Sequence, residues 1–159
     1  MKQQELSRWL RMIVLLTAAI TAIFLCLIAP TMGQDIAAAN PEFAFMLAPA
    51  LIFLAVSAIP FYLALYRAYR VLQQVGRDHS FCAENAAHLK AISRLALIDT
   101  LWYFLGAVAL VIGNVGHPSV LLAMGLVIFI GVAAAVAAAT LSHLVQKAAA
   151  LQSENELTI

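Results

Sequence analysis

The sequence predicts an all-α polytopic membrane protein, a four-helix transmembrane bundle whose helices extend into the cytoplasm. Three observations carry this. The chain of 159 residues is 64% apolar and only 11% charged, which is too little charge for a soluble domain of this size. Its apolar residues gather in four runs, roughly 12–29, 45–66, 95–114 and 119–141, each close to the ~20 residues that cross a hydrocarbon core. All nine basic residues, Lys2, Arg8, Arg11, Arg67, Arg70, Arg77, Lys90, Arg94 and Lys147, fall in the two tails and the central loop when the chain is threaded back and forth through a bilayer. Short loops rich in Lys and Arg stay cytoplasmic, so both termini and the central loop are expected inside. The runs use most of the length, and a single membrane domain over 1–159 is expected. Asp35 and Glu42 fall in the first outer loop, so the two faces differ in sign.

The first span opens on Ser7-Arg8-Trp9-Leu10-Arg11, where Trp favours the headgroup region and Arg snorkels to it. Lys2 to Arg11, the apolar run and Ala37-Ala38-Ala39 imitate a secretory signal. The run is longer than the ~7–15 residues of a signal core, so a retained span is expected. Pro30 and Gly33 are expected to end it, before a short acidic loop over 31–42 that closes on the turn pair Asn40-Pro41.

Pro60 lies well inside the second run and removes one backbone hydrogen bond, so a kink is expected, with Ser57 a candidate partner for the freed carbonyl. Leu65, Ala68, Tyr69, Leu72 and Val75 then share a stripe at helical spacing, opposite Arg67, Arg70 and Gln74. This predicts a continuation toward Gly76, a plausible C-cap. Phe81, Asn85, Leu89, Ile92, Ala96, Asp99 and Tyr103 share a second arc, with Lys90 and Arg94 pointing away. The two stripes predict an antiparallel cytoplasmic hairpin over about 67–94, with one helix from about 81 to 114. Leu6, Trp9, Leu10 and Ile13 before the first span, and Leu141, Leu144, Val145, Ala148 and Leu151 at the end of the fourth, are expected to join it.

The turn Gly113-Asn114-Val115-Gly116-His117-Pro118 makes spans three and four an antiparallel pair. Along the fourth, Gly125, Gly131, Ala134, Ala135, Ala138 and Ala139 let helix backbones approach closely, either within the bundle or in a homodimer. Cys26, inside the first span, and Cys82, in the central loop, are expected to be free thiols.

The central stretch Gly76-Arg77-Asp78-His79-Ser80-Phe81-Cys82-Ala83-Glu84-Asn85-Ala86-Ala87-His88-Leu89-Lys90-Ala91-Ile92 resembles the loop signature of the YoaS-like family of small bacterial membrane proteins. That signature reads roughly Gly-x-Pro-Phe-Ser/Thr-x-x-Asn with a Leu following. Phe81, Asn85, Leu89 and Ile92 match, while Ser80 replaces the usual Pro and Cys82 the usual Ser or Thr. With Cys82 in that place, Ser80 is the candidate helix cap. The resemblance implies four spans, a bacterial cytoplasmic membrane and, because relatives are often encoded beside a helix-turn-helix regulator, a role in membrane-linked regulation.

Asp99 is the sharpest single residue. It lies about one turn into the third span, where a charge is costly and faces the protein interior or a wet cavity; Arg67 or Arg70 at similar depth is its expected partner. Asn85, polar on an apolar face, is expected to bond across the hairpin or to the Gly76–Ser80 turn, or to serve recognition. His79, Cys82, Glu84 and His88 have a loose metal-site look but lack a second paired ligand motif. A solvated polar face, with no metal and no cofactor, is the expectation. Lacking Gly-x-Ser-x-Gly, His-Glu-x-x-His or a phosphate-binding Gly loop, the sequence points away from an enzyme.

Two functions compete. In the first, a regulatory or scaffolding protein presents Arg77, Phe81, Asn85 and Lys90 to a cytosolic regulator protein, or its basic residues to anionic headgroups, with no direct nucleic-acid contact. In the second, a small oligomeric transporter or channel uses Asp99, Asn85 and the Pro60 kink. Plain topological anchoring also accounts for the basic residues.

Overall fold

The computed structural model describes residues 3–77 and 80–157. Lys2, Asp78 and His79, singled out above, lie outside the described residues. Helix α1 (Gln3–Ile23) runs through a π-helical turn (Phe24–Ile28) into α2 (Ala29–Ala39). A 3-10 turn over Pro41–Met46 leads to α3 (Leu47–Val75), followed by α4 (Ala83–Ile112) and α5 (Pro118–Leu157). The described residues are helices and short connections, and four helical stretches are long and apolar enough to cross a membrane. Large apolar side chains such as Ile52, Leu101, Phe104, Ile112, Leu122 and Phe129 are exposed, a surface that calls for lipid rather than water.

The antiparallel order is carried by a few contacts. Ser7, near the start of α1, donates to the Leu72 carbonyl near the end of α3 at 2.6 Å, and the Tyr62 hydroxyl donates to Ala18 O at 2.9 Å. Trp102 Nε1 of α4 donates to Phe53 O of α3 at 3.1 Å, and the two rings stack with centroids 5.2 Å apart. Ser142 of α5 donates to Ala86 O of α4 at 2.7 Å. The α4–α5 contact is the most extensive, then α3–α4, then α1–α3. Each long helix therefore packs mainly on its chain neighbour, and the described basic residues collect at one end: the start of α1, the α3–α4 hairpin and the end of α5. Asp35 and Glu42 lie at the other end.

Pro30 does not end the first helix. The backbone takes up the missing N–H by widening into the π-turn, where Ala29 N–H donates to Phe24 O. The Thr31 hydroxyl reaches Leu27 O at 2.7 Å, so the expected loop over 31–42 is mostly helix. Pro60 sits inside α3, yet Ser57 bonds Leu54 O at 3.1 Å rather than the carbonyl four residues before Pro60. A hydroxyl reaches back within its own turn more readily than forward to the proline gap.

The 113–118 turn follows expectation and has a defined form. Asn114 takes a left-handed φ of 52°, Val115 N–H bonds Leu110 O and Asn114 N–H bonds Val111 O. This is a Schellman stop with Asn in place of the more common Gly. On α5, Gly131, Ala135 and Ala138 turn toward α4, and Ala135 and Ala138 are buried there. Gly125 has open space beside it and Ala134 is exposed, so the small-residue face serves α4–α5 packing first.

Candidate functional site

The basic end holds a polar network that a single-helix reading does not reveal. Arg67, Arg70 and Gln74 do not point away from α4; all three reach it. Arg67 Nη1 lies 3.2 Å from His88 Nδ1, Arg70 lies 3.6 Å from Glu84, and Gln74 Nε2 donates to Glu84 Oε2 at 2.5 Å. A guanidinium only donates, so His88 Nδ1 accepts and its Nε2–H faces Glu84 Oε1, 3.4 Å away. Leu72, on the apolar stripe of α3, meets α1, its carbonyl accepting from Ser7. α3 thus has neighbours on two sides, α1 and α4, and its polar face contacts one of them.

Glu84 and His88 meet at i,i+4 as their spacing suggests, with the guanidiniums of Arg70 and Arg67 beside them, while His79 lies outside the described residues. Among the described residues no group of three potential ligands converges. The Gln74 hydrogen bond, followed by the neighbouring His88 and Arg70, holds the Glu84 carboxyl below its ordinary value of 4.5. A depressed carboxylate stabilises the fold above its unfolded value, and that contribution is lost as pH falls through the folded one. Acidification below pH 4.5 is therefore expected to loosen the α3–α4 contact. Amide exchange over Ala83–Lys90 against pH checks this: Glu84→Gln should flatten the profile, and an unchanged profile would contradict the assignment.

The hairpin tip is built around Asn85. Its side chain is 1% exposed and Nδ2 donates to the Ser80 carbonyl at 3.0 Å, the turn contact its position suggested. Asn85 therefore shapes the tip and lies beneath its surface. Cys82, not Ser80, is the N-cap residue and makes no side-chain cap bond; its Sγ lies 3.9 Å from Gln74 Oε1. Phe81 precedes the helix, off the inward arc, and is 59% exposed. Arg77, after the end of α3, is also exposed, and Lys90 and Arg94 are exposed along α4.

Asp99 is not partnered by Arg67 or Arg70, which are taken by His88 and Glu84; similar depth did not mean similar azimuth. Asp99 Oδ1 is buried with no hydrogen-bond partner among the described residues. Sequence reasoning also missed Ser7, which is fully buried beside Gly76. A Cβ on Gly76 would lie 2.7 Å from Ser7 Oγ, so Gly76 matters as a close approach to α1, at an ordinary φ of −68°. Nothing local in a lone serine so distant in the chain signals this.

A family model described as "Protein of unknown function (DUF2975)" matches residues 31–159, from within α2 to the end of the chain. The chain belongs to this family. The Uncharacterized membrane protein YoaS of Bacillus subtilis (strain 168) is 31% identical over 150 residues, covering 92% of this chain and 94% of that protein. The motif around Phe81 and Asn85 therefore sits within family-wide similarity. No solved structure matches. Taken with four candidate spans, this makes the chain a membrane protein of the family.

Proposed function

We propose that the protein is an integral component of a bacterial cytoplasmic membrane, with both termini and the α3–α4 hairpin in the cytoplasm, and that the hairpin tip docks a cytosolic regulator. The observation that carries this reading is that Phe81 and Arg77 are both exposed at a tip braced from below by Asn85. Aromatic residues and Arg are the types enriched among interface anchors. The gathering of basic residues at this end supports its cytoplasmic placement, and the loop resemblance favours a regulator of the helix-turn-helix kind. Asn85 acts here by positioning, while Arg77, Phe81 and Lys90 make contact.

The test is co-purification of cytosolic proteins with the full chain in detergent. One discrete partner should co-purify with the native chain, be lost with Arg77→Glu/Lys90→Glu and with Phe81→Ala, and survive Asp99→Asn. Equal capture by all variants would remove the docking role. Buried Asp99 Oδ1 favours a second reading, an oligomeric transporter; there, Asp99→Asn would abolish proton flux in liposomes while partner capture had no bearing.

A further inference from the structure

A concavity of about 430 Å³ opens between α3 and α4 at the basic end. Arg67, Lys90 and Arg94 stand around it, and Ala87 and Ala91 form its floor. Those two positions lie one turn apart on α4, so their small side chains leave the space that leucines would fill. Lys90 and Arg94 are also one turn apart, an arrangement of like charges that repels. No acidic residue lines the concavity. Among the described residues neither Lys90 nor Arg94 forms an ion pair, and the nearby acid, Glu84, is taken by Arg70 and His88.

Leu63 and Leu95 close the inward edge, where the apolar runs of the second and third spans meet the basic hairpin. Leu63 also lines a second, shallow apolar depression of about 380 Å³, with Ala58, Ile59 and Tyr62. The Tyr62 hydroxyl is already satisfied by Ala18, so this second surface offers hydrocarbon. Moving along α3 into the span, the order is thus cationic basin, leucine sill, apolar trough.

We propose that this groove binds one anionic phospholipid, its phosphate held by Arg67, Lys90 and Arg94 and an acyl chain laid over Leu63 along Ile59 and Tyr62. A free inorganic anion matches only the basin, and an acidic protein segment leaves the trough bare. The position at the edge of the apolar runs is where a lipid phosphate lies. The site shares Lys90 with the contacts proposed for the hairpin tip, while Arg67, Ala91 and the apolar trough belong to the groove alone.

Native mass spectrometry of the full chain in detergent, titrated with phosphatidylglycerol against phosphatidylcholine, tests it. One phosphatidylglycerol should be retained in preference, by about tenfold, the loss expected for a charge-assisted contact. Lys90→Gln/Arg94→Gln should abolish the preference. Ala91→Leu should do the same with every charge intact, while Arg8→Gln/Lys147→Gln, at the same end but outside the groove, should keep it. Circular dichroism confirms that each variant is folded. Equal loss with the Arg8/Lys147 pair would mean diffuse attraction and overturn the site. So would retention by the Ala91→Leu protein, or displacement of the lipid by millimolar inorganic phosphate.

Discussion

Gly131→Ala is expected to destabilise the protein by about 1–3 kcal/mol, the usual cost of forcing a side chain into a packed contact, and Gly131→Leu to prevent α4 and α5 from closing. A Cβ on Gly131 would fall inside the Thr100 hydroxyl and within 3.8 Å of the Ala96 carbonyl. Thr100 cannot simply swing aside without loss, because its hydroxyl bonds Ala96 O at 2.7 Å. The site lies mid-way along the most extensive helix contact in the molecule, between Ser142–Ala86 at one end and Met124 beside Gly106 at the other. In lipid, close backbone approach is a main source of helix association, so separation here is not repaired by burying more apolar surface. Unfolding in mixed micelles measures the loss. Thr100→Ala should rescue much of the Gly131→Ala defect, giving a coupling energy of at least ~0.5 kcal/mol in a double-mutant cycle. Additive effects would show that the α4–α5 approach does not pass through this pair.

Asn85→Ala is expected to cost about 1–3 kcal/mol, because it leaves the Ser80 carbonyl without its side-chain donor in a part-buried turn. The effect should be local. Amide exchange should rise at the tip and the first turn of α4 while Ala96–Ile112 stay protected. Asn85→Asp keeps the shape but removes the donor, so it should behave like Ala; unchanged exchange with Asp would deny the Ser80 bond its role. If the tip is the docking element, Asn85→Ala should also weaken partner capture without touching any contact residue, which separates positioning from contact.

The parts of this structure legible in the sequence are those set by the solvent. Four apolar runs and one-sided basic residues are statements about lipid and water, and the helices and the clustering of cations follow them. Asn85 was legible because a polar residue on an apolar arc needs a partner, and the nearest turn supplied one. Pro30 was misleading because a proline stop is a local rule, and a π-turn absorbs the missing donor without leaving the helix. The Arg67–His88 and Arg70–Glu84 pairs were hidden because a helical wheel sorts residues around one helix, while α3 touches α1 on one side and α4 on the other. Ser7 against Gly76 was hidden for a plainer reason: the close approach is a property of two distant segments, and neither residue is unusual alone.

The central claim is that the end carrying Arg8, Arg67, Arg77, Lys90 and Lys147 faces the cytoplasm. In a background of Cys26→Ala/Cys82→Ala, single cysteines at Ser153→Cys, on exposed α5 at the basic end, and Asp35→Cys, on exposed α2 at the other, can be labelled with a membrane-impermeant maleimide. The account predicts that Ser153→Cys reacts only in inside-out vesicles and Asp35→Cys only in intact cells. The reverse pattern, or both positions reacting from one side, would contradict it.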